Sequence, residues 1–455
     1  MRGAVCMIAA AAQMMSAAPS TATDLWSAAD GVARLEFSGS LRELISAGEG
    51  TRTEDFERAL VADAPNCLVV TTFPNCAAFD ELGESVVVTS STRLRMRLDA
   101  QLARGLDAVL VYDHILSVGH LQTLESGLGG ELAGQSFLGA EQIIASSQHA
   151  EWRHLLYRGF LHIEEGAFEL RAGRQRIAWG EGRLWNPIDR LNAVGPLAIE
   201  PDQSPGIDAV DLRWNFTGFD YAQLVYAPGR HDSGSRYVGR VHFVAFDTDV
   251  SLLGGLFEDA PTAGFDASRN VGGAAVRIEA IWTDPEHSVR RFGASRREEP
   301  DPFWQIVVSG DYNIDIGTGL YVLIEHLYNG NALGFGQGRA GPMVEFFDFL
   351  PPPRVPPQAV FVAQSPALFG TSQVITFASQ LTGLELGYDL TPEVRGSLLT
   401  LIDWKGGSAA LFPRLVYSPA GSLELSAGVQ AAFGPRRSEY GSRGVLGYAR
   451  AEWFF

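Results

Sequence analysis

Past Ala22, no apolar run in this 455-residue chain reaches the ~20 residues that a membrane-spanning helix needs. A helical membrane protein is thereby excluded. Charge is also sparse, at 19% of residues, and cysteine is limited to three residues with no CxxC pair, which leaves no cysteine-pair metal site. A GxSxG elbow and an HExxH pair are both missing. The histidines His154, His162, His242 and His326 stand singly on strand-like stretches, and a lone strand histidine is a wall residue rather than a base. Without a nucleophile–base constellation an enzyme is disfavoured, and no cofactor or metal is implied. The net charge of -18 argues against nucleic acid as a partner.

What is present points elsewhere. Arg2 precedes a mostly apolar stretch from Gly3 to Met15, and small residues follow at Ser16–Ala18 and Ser20–Ala22. Residues 1–22 therefore read as a secretory signal peptide, cleaved between about residues 17 and 22. Cys6 lies too early in that stretch to be a lipoprotein cysteine. Of the cysteines only Cys67 and Cys76 belong to the mature chain, nine positions apart. In an oxidising compartment they are expected to close a small disulfide loop.

The mature chain contains many glycines (50 in all), is 10% aromatic, and has a mean hydropathy near zero. Such a mixture suits a wall in which every second residue faces lipid and the others face water. The alternation itself is explicit. Arg93, Arg95, Arg97 and Asp99 alternate with Leu94, Met96, Leu98 and Ala100. Val210, Leu212, Trp214 and Phe216 alternate with Asp211, Arg213 and Asn215. The pattern continues from Val32 to the last residue, and its joins are alternately tight and long. Tight ones fall at Ala103–Gly105, Gly166, Thr217–Gly218, Ile316–Thr318 and Ala420–Ser422. The long ones, expected to be extracellular, lie near 48–88, 117–150, 181–205 and 332–372.

We therefore expect an all-β chain, with residues 23–455 forming one transmembrane antiparallel β-barrel. Seventeen segments are recognisable, including 167–180, 248–257 and 270–283. Barrels of this kind close with an even number of strands. Strand directions place the missing one in 284–302, for instance His287 to Ser295, which gives 18 strands, with 16 as the alternative. The last strand sets Ala449, Ala451, Trp453 and Phe455 on one face. With Trp453 and the terminal Phe455, it resembles the signal that outer-membrane proteins present to the barrel-assembly machinery. Trp152, Trp185, Trp214, Trp282, Trp304 and Trp453 fit aromatic girdles at the two interfaces.

Arginines dominate the inward positions. Arg93, Arg95 and Arg97 form a ladder, joined by Arg158, Arg213 and Arg240. A bulge at Gly173 would also turn Arg171, Arg174 and Arg176 inward. Guanidiniums in a wet lumen favour anions, but they also brace the wall by pairing with Asp99, Asp113, Glu164, Glu169 and Asp211. The stretch Gly173–Ala193, GRQRIAWGEGRLWNPIDRLNA, is glycine-rich and aromatic. It either folds into the lumen, with Glu181, Arg183, Asp189 and Arg190 at a constriction, or packs on itself outside. The segment 48–88 holds eight acidic residues and reads as a solvated surface loop.

That stretch, together with Asp311–Asn313, Gly319–Ala332 and Gly407–Pro419, resembles a group of uncharacterised porin-like outer-membrane proteins, broadly similar to alginate-export and phosphate-selective porin barrels. The resemblance covers residues 85–455 and implies an outer-membrane solute channel in a Gram-negative bacterium. The expectation is passive passage of small hydrophilic solutes with a mild anion preference, by a monomer or homotrimer. A non-conducting structural or adhesion barrel is the alternative, and an outer-membrane enzyme a more remote one. Partners would be outer-membrane lipid and lipopolysaccharide, the assembly machinery and the solutes.

Overall fold

The computed structural model describes residues 22–28, 32–48, 87–119, 137–147, 149–192, 196, 199, 206–229, 235–257, 259–284, 302–332, 376, 378–435, 438–441 and 444–455. Twenty strands lie within them. They are β1 (Thr23–Ser27), β2 (Arg34–Gly48), β3 (Val87–Ala103), β4 (Leu106–Gly119), β5 (Glu141–Ser146), β6 (Ala150–Glu165), β7 (Phe168–Gln175), β8 (Ile207–Asn215), β9 (Tyr221–Ala227) and β10 (Arg236–Ala245). They continue as β11 (Thr248–Phe257), β12 (Ala260–Val271), β13 (Ala274–Thr283), β14 (Phe303–Ile314), β15 (Leu320–Asn329), β16 (Gln380–Thr391), β17 (Val394–Asp403), β18 (Ser408–Ala420), β19 (Leu423–Phe433) and β20 (Val445–Phe454).

Every pairing is antiparallel, and β20 returns to β2, so the sheet closes. The ring comprises β2, β3, β4 and β6 to β20, which makes 18 strands. Closure runs through the C-terminus. Gly39 and Phe455 exchange both main-chain hydrogen bonds, at 2.8 and 2.9 Å, and the Phe455 ring lies where a side chain on Gly39 would be. Phe455 also packs against Phe37 and Trp453 on the outer face.

The two strands outside the ring fill notches in it. β1 pairs with Arg34–Phe37 of β2, continuing the row that β20 leaves at Ser40. β5 pairs with Glu151–Leu155 of β6, continuing the row that β7 leaves after its partner Gly159. The sequence reading placed neither strand: β1 precedes Val32, and β5 lies inside the stretch 117–150 taken as a loop.

The eighteenth strand is β12, not a segment of 284–302, of which residues 285–301 lie outside the described residues. Its outward face carries only Pro261, Ala263, Phe265, Ala267, Arg269 and Val271, too weakly apolar to stand out. The reading of 270–283 as one strand also runs across the hairpin turn Gly272–Gly273. Both glycines there have positive φ, 57° and 86°, as a two-residue turn between twisted strands requires.

The outward positions carry the oily residues. Leu224, Leu252, Val276, Val308 and Ile324 are all exposed, with Trp282 opposite Trp304 and Tyr226 stacked on Tyr237 toward the loop end. Tyr312, Trp214, Phe216 and Phe246 are exposed toward the tight-turn end. A closed barrel satisfies all its strand hydrogen bonds, and an apolar outside banded by aromatics is the exterior of a membrane-spanning barrel. Trp185 does not belong to these girdles: it is 2% exposed, inside the ring.

Candidate functional site

The lumen is organised by the chain that leaves β7. Both ladders of β7 run without a register shift, so there is no bulge at Gly173. The strand simply stops at Gln175. Arg171 faces the lumen beside His162 and Asp211, whereas Arg174 shares the opposite face with Ala172 and Leu170. Arg174 is buried in the seam where β7 ends and β5 begins. It forms an ion pair with Asp208 at 2.9 Å and donates to the main-chain oxygens of Leu138 and Leu156. The change of parity at Ile177 and Trp179 marks a departure from the wall rather than a bulge within it.

From Arg176 onward the segment lies inside the barrel, against its inner wall. Alternation persists over its first residues: Arg176 and Ala178 are exposed, while Ile177 and Trp179 are buried. The buried side chains, with Ile188 and Leu191, pack on Ala209, Val225, Ala227, Val238, Leu253, Phe257 and Ile281. Leu184 and Trp185 reach further round the ring, to Val307, Leu323, Leu327, Leu381 and Leu401, and Tyr440 closes over them. Those wall residues occupy inward positions, and apolar groups there are stable only because the segment covers them.

Two wall glutamates hold the segment. Glu279 of β13 accepts the main-chain N–H groups of Glu181 and Gly182 at 2.9 and 3.0 Å. Glu325 of β15, fully buried, accepts those of Arg183, Leu184 and Trp185 at 2.7 to 2.9 Å. Five consecutive donors, none of which has a strand partner, thus end on two carboxylates. A buried donor left without such an acceptor would cost about 1–3 kcal/mol. Gly180, at φ 82°, permits the bend that presents them. Gly383 of β16 leaves the space that Leu184 fills, since a side chain there would overlap it.

Further anchors fix the ends. Trp179 Nε1 donates to Gln223 at 3.0 Å, and Gln223 donates to Asp211 at 2.8 Å. Arg190, with no exposure, donates to the hydroxyls of Thr262 and Thr283, both at 3.0 Å, and lies over the Phe257 ring. Asp189 accepts the Asn192 N–H at 3.0 Å. Burial pushes its carboxyl up to about 7. Burial, with Asp266 nearby, also raises Glu181.

The sequence-predicted residues therefore separate. Of the four residues named at a constriction, Glu181 and Arg183 lie on the water-facing side of the segment, whereas Asp189 and Arg190 are buried beneath it. Arg93, Arg95, Arg97, Arg158, Arg171, Arg213 and Arg240 sit on lumen-facing positions of the wall; Arg176 lies on the inserted segment. Bracing is extensive: Arg95 pairs with Asp113 at 2.6 Å, Arg97 with Asp99 at 2.6 Å, Arg93 with Glu452 at 3.2 Å and Arg240 with Asp266 at 3.4 Å. Arg95 and Arg158 sandwich the Tyr157 ring, and Arg213 lies over Tyr221. Cys67 and Cys76 lie outside the described residues, as does most of each stretch assigned to 48–88 and 332–372.

Sequence reasoning missed Glu279, Glu325, Gln223 and Gly383. The available signal was Glu325 itself, an acid that directly follows the doubly apolar run Leu320–Ile324.

No family model matches the chain, and no curated protein matches it in sequence. Solved structures do. OccK8 (OprE) of Pseudomonas aeruginosa superposes with a TM-score of 0.51 at 10% identity, covering 92% of this chain and 98% of that one. OccAB2 of Acinetobacter baumannii gives 0.50 at 8% identity, with the same coverage. The barrel has a porin fold. At such identity the likeness concerns the fold alone.

Proposed function

We propose that the protein is an outer-membrane channel for passive passage of small hydrophilic solutes, with a mild preference for anions. The observation that carries the reading is the division of the lumen. The inserted segment packs over inward residues from β8 to β17, and the arginine-bearing wall lies on the side of β2, β3, β4, β6 and β7. On that side Arg97 and Arg171 retain 49% and 41% side-chain exposure, as guanidiniums in a water-filled path do.

Charge along the path is unequal. Arg42 lies within repulsion of Arg93, Arg95 and Arg450, Arg93 within that of Arg95, and Arg158 within that of Arg95 and Arg176. Carboxylates lie among these guanidiniums: Asp113 beside Arg95, Glu452 beside Arg93, Glu424 beside Arg450 and Asp189 near Arg176. Water-facing guanidiniums such as Arg97 and Arg171 lower the energy of an anion there. In a planar bilayer the mature protein should conduct in discrete steps, and a salt gradient should give a reversal potential of anion-preferring sign. A folded barrel that never conducts would replace this reading with a structural or adhesion role.

A further inference from the structure

The tight-turn mouth contains a second site, which adjoins the inserted segment at Tyr321. A cavity of about 310 Å³ opens between the turn joining β14 to β15 and the turn joining β16 to β17. Its lining comprises Asn313, Asp315, Thr318, Tyr321, Asp389 and Arg395, with the backbone of Ile314 and Gly319. Asn313 pairs with Tyr321, and Asp389 with Arg395, on the inward face of the ladder, so the cavity faces the lumen exit.

The walls are preformed. Thr318 Oγ1 donates to the Asp389 carbonyl at 2.5 Å, and the Tyr388 hydroxyl lies against Gly317, whose φ is 61°. The longer turn at 315–319 is thereby tied to its neighbour. Gly387, on the inward face beside Tyr321, leaves room for the Arg395 guanidinium, which a side chain there would obstruct. Arg395 binds Asp389 through a single nitrogen at 3.0 Å, and both side chains stay about half exposed, 50% and 46%. A guanidinium has five donors and a carboxylate about four acceptor positions, so both keep capacity for a ligand.

Both signs of charge occur in one small space. A lone anion reaching Arg395 would also meet Asp315 and Asp389; a lone cation reaching the carboxylates would also meet Arg395. A solute bearing a carboxylate and an ammonium a few ångströms apart satisfies both sets, with Asn313 and the Tyr321 hydroxyl as neutral partners. We propose that this cavity is an exit subsite for zwitterionic solutes of the α-amino-acid type. The proposal rests on the channel reading, because the subsite is placed where a solute would leave the lumen.

Three probes sharing one side chain separate the charges: L-glutamine, N-acetyl-L-glutamine and L-glutaminamide, at pH 6 where the last is a cation. Added on the periplasmic side of a bilayer, glutamine should interrupt the single-channel current at a concentration at least tenfold below that of either analogue. Arg395→Gln and Asp315→Asn should each erase that difference, every variant being scaled to its own open current. Equal effects of the three probes, or an undiminished glutamine effect in both variants, would overturn the proposal. So would interruption by calcium chloride but not by glutamine, which would make the cavity a metal site. Should the barrel not conduct at all, the channel reading falls. Calorimetric titration of the folded barrel in detergent then decides the subsite: glutamine binding lost in Arg395→Gln supports it, and no binding overturns it.

Discussion

The two sides of the lumen are built from the same alternating strands and have opposite interiors. From β2 to β7 the inward positions carry guanidiniums and carboxylates that brace one another, with the Arg97–Asp99 pair exposed and the Arg95–Asp113 pair largely buried. From β8 to β17 many inward positions are apolar, among them Val225, Leu253, Val307, Leu323 and Leu401, and the chain after β7 covers them. A barrel strand with two oily faces needs lipid on one side and protein on the other. Which side of the lumen stays wet is thereby written into strand composition.

The contrast can be broken most severely at the anchors. Replacing both Glu279 and Glu325 by Ala orphans five main-chain donors, each costing roughly 1–3 kcal/mol when buried without an acceptor. The segment should lift from the wall, and single-channel recording should show a several-fold larger, unsteady conductance. Unchanged conductance would mean that the apolar contacts alone seat it. Gly383→Val should act in the same direction but less strongly. Forcing a side chain into the space of Leu184 costs about 1–3 kcal/mol, read as a lower thermal midpoint and a noisier open level.

On the wet side, Arg93→Ser, Arg95→Ser and Arg97→Ser together should move the reversal potential toward cations, and unaltered selectivity would remove the arginine wall from the account. The smallest effect concerns pH. Burial raises Asp189 to about 7 from an ordinary value of 3.8, so the folded segment binds a proton more tightly than the unfolded chain does. Its contribution to seating is full below about 4 and is lost as pH rises through about 7. Tryptophan fluorescence from Trp179 and Trp185 should report weaker seating at pH 8 than at pH 5, and Asp189→Asn should reduce that difference without abolishing it, because Glu181 is raised in the same direction.

The wet half was the more legible in sequence. There a charged face alternates with an oily one, and parity alone places Arg93, Arg95 and Arg97 inward. The covered half obscured itself, because strands apolar on both faces carry no period. β12 was overlooked for a related reason, its small residues giving neither face a signature. The Gly173–Ala193 stretch was conspicuous by its composition, but its seat was not, since Glu279 and Glu325 lie 97–98 and 140–142 positions from the N–H groups they accept. Arg174 was misplaced because a change of parity can mean a bulge or the end of a strand, and only the ladder distinguishes them.

The central claim is that the water path runs between the arginine wall and the exposed face of the inserted segment. It is tested most directly by cysteine substitution at two adjacent positions, with Cys67 and Cys76 changed to Ser. A cationic thiol reagent applied during bilayer recording should step the current of Ala178→Cys and leave that of Ile177→Cys unaltered. Equal reactivity at both positions, or silence at both, would contradict the account.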